Sequence, residues 1–230
     1  MTYREIPDDR AAPPPIITYD GPTRLCHWLS VICVMALIAT GYYIGEAPPS
    51  VGGDTSQLYT MGYIRFVHLA VGQLFSALFL FRFIWGLRKR GHALQIFLPS
   101  FWRKSWSHGF WTQVKWNLLL LPRAPRYEGV NPLSVAVMFI LYVIPAALTI
   151  LTGFAMLAEV SGHDSWQYHV FGWMMIIFPN TLDLHLIHRV CMWIIVCFVF
   201  GHTYLVVRDD ILSRQTHIST MLSGERLFRR

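Results

Sequence analysis

One stretch limits this chain more than any other: Leu184 to Val207, LHLIHRVCMWIIVCFVFGHTYLVV, an apolar run with three histidines inside it. At about 1.5 Å per residue it is long enough to cross roughly 30 Å of hydrocarbon as a helix. An ionisable ring inside such a run is costly and calls for a functional reason. His188 and His202 are fourteen residues apart, which at about 100° per residue leaves both rings on nearly the same helix face, roughly 21 Å apart along the axis. His185 and His202 diverge by about 100°, so His185 is the weaker member of the set. One helix face therefore presents an imidazole towards each side of a membrane.

Three other apolar blocks accompany this one, and the expected spans are about 25–45, 63–87, 132–158 and 184–207. With 54% hydrophobic and only 14% charged residues, the composition is that of a membrane bundle. The expected class is an all-α integral membrane protein, a four-transmembrane-helix bundle. Its organisation reads as a flexible tail over 1–20, a membrane domain over 21–207 and a C-terminal tail over 208–230. The first apolar block has no small-residue cleavage pattern behind it and reads as a retained span. Pro145 inside the third span predicts a kink. Phe110 to Leu121 and Trp166 to Phe178 are too short to cross and, rich in aromatic residues, suit interfacial helices in the 88–130 and 159–183 loops. Pro48, Pro49, Gly52 and Gly53 mark the first loop.

Basic residues set the orientation. Residues 45–62 and 159–183 carry no Lys or Arg, whereas 88–130 carries eight. By the positive-inside bias the termini and the middle loop face the cytoplasm. The formal charge of +6 is thus a topology signal, and with no nucleic-acid module visible there is no reason to assign such a partner. Cys26, Cys33, Cys191 and Cys197 lie in or against apolar runs and form no CxxC pattern, which argues against a disulfide framework, a thiolate metal site or a covalent haem.

Depth pairs the remaining histidines. His27, at the start of the first span, lies level with His202; His68, near the start of the second, lies level with His188. Two bis-histidine pairs result, and neutral imidazoles on facing helices suit haem iron, which fills the space between four helices. Two separate pairs make a poor zinc site. With both axial positions taken, the expected chemistry is electron transfer. Arg24, Arg65, Arg189 and Arg208 each stand within a few residues of a proposed ligand and are candidate partners for haem propionates, with ordinary snorkelling as the alternative. Gly41, Gly72, Gly153 and Gly201 are candidate close-approach points. His92, His108, His163, His169 and His217 fall in loops or flanks. A quinone site would lie near His27 and His202, open to lipid.

The segments TRLCHWLS, LYTMGYIRFVHLAVG, FLPSFWRKSW, SGHDSWQYHVFGW and DDILSRQTHISTMLSGERLF resemble the b-type cytochrome subunit of membrane-bound nickel-iron uptake hydrogenases, from about residue 18 onward. The wider family also resembles the cytochrome subunit of respiratory formate dehydrogenase. The resemblance implies a multi-pass protein of the bacterial inner membrane with two haem b groups, at His27/His202 and His68/His188. It implies as partners the hydrogenase small subunit, including its C-terminal membrane helix, the large subunit, and quinone as electron acceptor. Two other readings stay open: the cytochrome of another respiratory oxidoreductase, and a haem-free anchor or transporter. The chain has no cysteine sets for a nickel-iron centre or clusters, so no hydrogen-activating site of its own is expected.

Overall fold

The computed structural model describes residues 16–47, 59–89, 94–125, 127, 130–213 and 216–227, without the side chains of Ile16 and His217. The Pro13–Pro15 run, the loop with Pro48, Pro49, Gly52 and Gly53, and His92 lie outside these residues.

Four helices are long and apolar enough to cross a membrane: α1 (Gly21–Gly45), α2 (Thr60–Lys89), α4 (Pro132–Ser161) and α7 (Thr181–Leu212). All four run about a turn beyond the apolar limits of the sequence at one end or both, because polar residues extend them and, at three of the starts, cap the backbone. Asp20 accepts from the Thr23 amide at 3.3 Å and opens α1, with a proline in its first turn. Asn131 accepts from the Ser134 amide at 2.7 Å ahead of Pro132, and Asn180 accepts from the Leu182 amide at 3.2 Å. Each side-chain oxygen satisfies an amide that has no partner within the helix. Arg88 and Lys89 close α2, where cations complement the carbonyl end of the helix dipole.

Pro145 perturbs α4 as its chemistry requires. The helix runs from Pro132 to Met138, widens into a π turn over Phe139–Val143, and resumes from Ile144 to Ser161. A proline removes one amide and crowds the carbonyl four residues earlier, and the wider turn accommodates both. The short helices between spans are α3 (Lys104–Asn117), α5 (Trp166–Phe171) and α6 (Trp173–Ile177). The first begins six residues before the apolar stretch and stops before Leu118–Leu120, because Leu119 takes a left-handed backbone conformation with φ 61°. The aromatic block over 166–178 is two helices, with Ser165 capping the first.

Packing places α1 against α2 and α4 against α7. Cys33, Val34, Phe75, Ala146 and Ile195 form the buried centre, joined by Leu37, Val71, Tyr142 and Val199. A smaller cluster of Ala155, Met174 and Leu184 lies under α6. Large apolar side chains such as Phe66, Phe200 and Tyr204 face outwards, as lipid contact demands.

The end expected to face the cytoplasm is tied by the two termini. A helix, α8 (His217–Ser223), leads into β2 (Glu225–Arg226), which pairs antiparallel with β1 (Ile16–Ile17), Ile16 opposite Arg226. Gly224 makes the turn with φ 90°, where a Cβ would come within 2.6 Å of the Tyr19 carbonyl oxygen. Trp28 donates from Nε1 to the Met221 carbonyl at 3.1 Å, and Trp85 Nε1 donates to Asp20 Oδ2 at 2.8 Å. Buried Arg226 donates to the Tyr127 carbonyl at 3.3 Å. The described residues after α7 thus fold back onto the start of α1, at Arg24 and Trp28 on either side of His27 in the sequence.

Candidate functional site

At the end expected to face outwards, the rings of His68 of α2 and His188 of α7 come together. Their ring centres are 6.3 Å apart with planes inclined at 63°. Two metal–imidazole bonds of about 2.0 Å, plus the step from each nitrogen to its ring centre, come to roughly the same length. The centre-to-centre distance is therefore compatible with one metal ion between the two rings. Each ring is seated on a neighbouring helix. Nδ1 of His68 lies 2.8 Å from the Thr40 hydroxyl of α1, and Nδ1 of His188 lies 2.9 Å from the Thr152 hydroxyl of α4.

Glycine follows each threonine. A Cβ on Gly41 would come within 3.2 Å of His68 Cε1, and one on Gly153 within 3.3 Å of His188 Cε1. Of the four glycines singled out in the sequence, these two are the ones where an imidazole makes close contact. Gly72 is 3.9 Å from Leu37 by the same measure, and around Gly201 no protein atom comes within 4 Å.

At the end expected to face the cytoplasm, His27 of α1 and His202 of α7 lie within electrostatic reach of each other. Phe198 stacks on His202, with centres 5.2 Å apart and planes at 21°, and Trp28 meets His27 edge-on at 5.3 Å. Arg82 of α2 joins them: it interacts electrostatically with His27, Tyr19, Asp20, Cys26 and Tyr142. Its Nη1 is buried without a hydrogen-bond partner, as is Nε of Arg24. Buried guanidinium donors without acceptors suit an anionic group such as a propionate. Arg82 could have been found from the sequence by its depth. It lies seven residues before the end of α2, too deep to be explained by the basic cluster that closes the span.

The other candidate arginines are placed differently. Arg24 donates from Nη1 to the Leu222 carbonyl, which holds it against the returning C-terminus. Arg65 is exposed on α2. Arg189 is exposed and pairs with Glu46 at 2.5 Å, tying α7 to the end of α1. Arg208 meets Asp209 at 3.4 Å and donates to the Asn117 side chain at 3.2 Å, tying α7 to α3.

His185 is exposed and its Nδ1 lies 2.9 Å from the Thr181 carbonyl of its own helix, so the structure places it outside the facing pair. His163 packs on Tyr168 at 4.2 Å, in the loop after α4. Among the described residues no three or more His, Cys, Asp or Glu side chains converge as a metal site. The four cysteines are free, three of them buried.

The chain's relatives match it over most of its length. The family model for prokaryotic cytochrome b561 matches residues 18–224. A probable Ni/Fe-hydrogenase B-type cytochrome subunit of Rhizobium leguminosarum bv. viciae is 42% identical over 218 residues, covering 93% of this chain and 90% of the relative. The corresponding protein of Azotobacter vinelandii is 41% identical over 214 residues, with 93% and 89% covered. A probable Ni/Fe-hydrogenase 1 B-type cytochrome subunit of Escherichia coli (strain K12) is 38% identical over 215 residues, with 90% and 89% covered. Four membrane-length helices and this kinship make the chain a multi-pass protein of the bacterial inner membrane. It belongs to the family of B-type cytochrome subunits of Ni/Fe hydrogenases.

Proposed function

We propose that this chain is a dihaem cytochrome b that anchors a periplasmic nickel-iron hydrogenase and carries its electrons to quinone. Kinship with B-type cytochromes supports haem b as the cofactor. The observation that carries the two-site reading is the pairing of His68 and His188 with ring centres 6.3 Å apart; His27 and His202 lie within electrostatic reach of each other towards the other end of α7.

Haem, when bound, supplies a one-electron couple that the polypeptide lacks. The chain supplies everything else. His68 and His188 would hold the outer group and His27 and His202 the inner one, and two imidazoles at each site would suit electron transfer, not substrate binding. The fourteen-residue interval on α7 sets the two sites roughly 21 Å apart along its axis. Arg24 and Arg82 are the candidates for the inner propionates, Arg65 and Arg189 for the outer ones. Arg208, held by Asp209 and Asn117, serves the bundle's inner edge.

Electrons would enter from the iron-sulfur small subunit at the outer pair, pass to the inner pair, and leave to quinone on the cytoplasmic side. The exposed apolar faces of the spans offer room for the small subunit's membrane helix as well as for lipid. The test is the purified membrane complex under hydrogen. Two haems per chain, reduced on adding hydrogen, with nickel in the partner, are expected. Molybdenum or tungsten in the partner would assign the chain to another respiratory enzyme, and a preparation with no Soret band would end the cytochrome reading.

A further inference from the structure

The seating of the two outer rings repeats on two different helix pairs. On α1, Thr40 and Gly41 receive His68 of α2; on α4, Thr152 and Gly153 receive His188 of α7. A threonine hydroxyl has one proton to give. Thr40 Oγ1 lies 2.7 Å from the Ala36 carbonyl one turn earlier, and Thr152 Oγ1 lies 2.8 Å from that of Leu148. Each hydroxyl proton is thereby committed to its own helix, as is usual for threonine within an apolar helix.

What each oxygen turns towards the imidazole is a lone pair. The ring nitrogen facing it, 2.8 Å away in one case and 2.9 Å in the other, must then be the N–H donor. That fixes the tautomer with the proton on Nδ1 and leaves the Nε2 lone pair free for a metal. The glycine beside each threonine lets the Cε1 edge of the ring press against the helix, at 3.2 and 3.3 Å from the positions a Cβ would take. Both rings are thus held along their Nδ1–Cε1 edge, with Nε2 on the open side. Thr152 is 1% exposed, so no water competes for His188 there. Among the described residues neither His27 nor His202 has a hydroxyl of this kind.

We infer that Thr40 and Thr152 are positioning residues that select the tautomer and rotation of His68 and His188 and lower the potential of the outer haem alone. This rests on the histidine pairing proposed above. A hydroxyl accepting from Nδ1–H makes the ligating nitrogen more basic. A more basic ligand favours oxidised iron, so loss of the acceptor raises the potential.

Thr152→Val keeps the volume and removes the hydroxyl acceptor, leaving the Thr149 carbonyl that His188 also reaches; Thr152→Ser restores the hydroxyl. The test is a redox titration of the purified complex with haem quantitation and electron paramagnetic resonance, on T152V, T152S, T40V and H188A. The potential of one haem should rise in T152V and T40V, the same haem in both, while the other haem stays in place and T152S behaves as wild type. Should T152V lose that haem altogether, retention by T152S supports the inference and loss by T152S overturns it. Unmoved potentials, equal movement of both haems, or a serine variant matching the valine one would also overturn it. H188A separates the two levels. If it keeps both haems, the pairing itself fails; if it loses one while T152V changes nothing, only the role of the threonines fails.

Discussion

Gly153→Ala is a sensitive probe of the outer site because two effects of known sign oppose each other there. The new Cβ would stand 3.3 Å from His188 Cε1 and 3.9 Å from its Nδ1. Carbon atoms rest at about 3.5–4.0 Å, so the ring must yield by a few tenths of an ångström or the helices must part. Alanine in place of glycine favours a helix by roughly 1 kcal/mol, whereas overpacking costs about 1–3 kcal/mol. The net change in stability is therefore small, between about 0 and 2 kcal/mol of destabilisation. Ligand geometry is less forgiving, since a site loses its productive arrangement beyond about 0.5 Å or 10–20°. Thermal unfolding in detergent, combined with low-temperature difference spectra, should show a slight loss of stability and a clear change in one haem band. Gly62→Ala is the control, because a Cβ there meets no atom within 4 Å. If G153A is stabilised as much as G62A with both haem signatures intact, the close packing of His188 on α4 is wrong.

Two further expectations follow from the inner end. Arg82→Gln removes a positive charge that acts on His27, which should lower the potential of the inner haem and leave the outer one in place. The effect is on the order of 1 kcal/mol at an effective dielectric of about 20, roughly 40 mV for one electron, readable by redox titration. Asp20→Ala removes the α1 cap and the Trp85 acceptor together, at a cost of about 1–2 kcal/mol in thermal unfolding at neutral pH. Burial alone would push the Asp20 carboxyl up, but the hydrogen bonds from Thr23 and Trp85 and the nearby Lys89 outweigh it and hold it below the ordinary carboxylate range. Its contribution is accordingly present above pH ~4 and lost as pH falls below that. The difference between wild type and D20A should narrow in acid.

The spans were legible because apolar length is a one-dimensional regularity, and the depth pairing was an expectation drawn from another, helical phase. The fourteen-residue interval between His188 and His202 needs no tertiary information. The extra residues at the ends of all four spans were missed because caps such as Asp20 and Asn180, and the polar residues beyond them, lie outside the apolar signal. Pro145 announced an irregularity in α4 but not that the helix would answer with a π turn over Phe139–Val143. The threonines were invisible for a different reason. Thr40 and Thr152 sit on helices other than those of the histidines they touch, and a single Thr-Gly dipeptide has no meaning until packing brings an imidazole to it. The same holds for Arg82, whose significance comes from lying within electrostatic reach of His27 on a different helix. Arg189 and Arg208 were flagged by sequence proximity to histidines, whereas in the fold they spend contacts on Glu46 and on Asn117 and Asp209.

The claim on which the account turns is that α7 ligates both haems, one with α1 and one with α2. Haem-to-protein stoichiometry with redox difference spectra on the intact complex tests it most directly, for wild type, His68→Ala (H68A), His202→Ala (H202A) and His185→Ala (H185A). Two haems in wild type and in H185A, with H68A and H202A each losing a different one, is the predicted result. Loss of the same haem from both variants, or of neither, would contradict it.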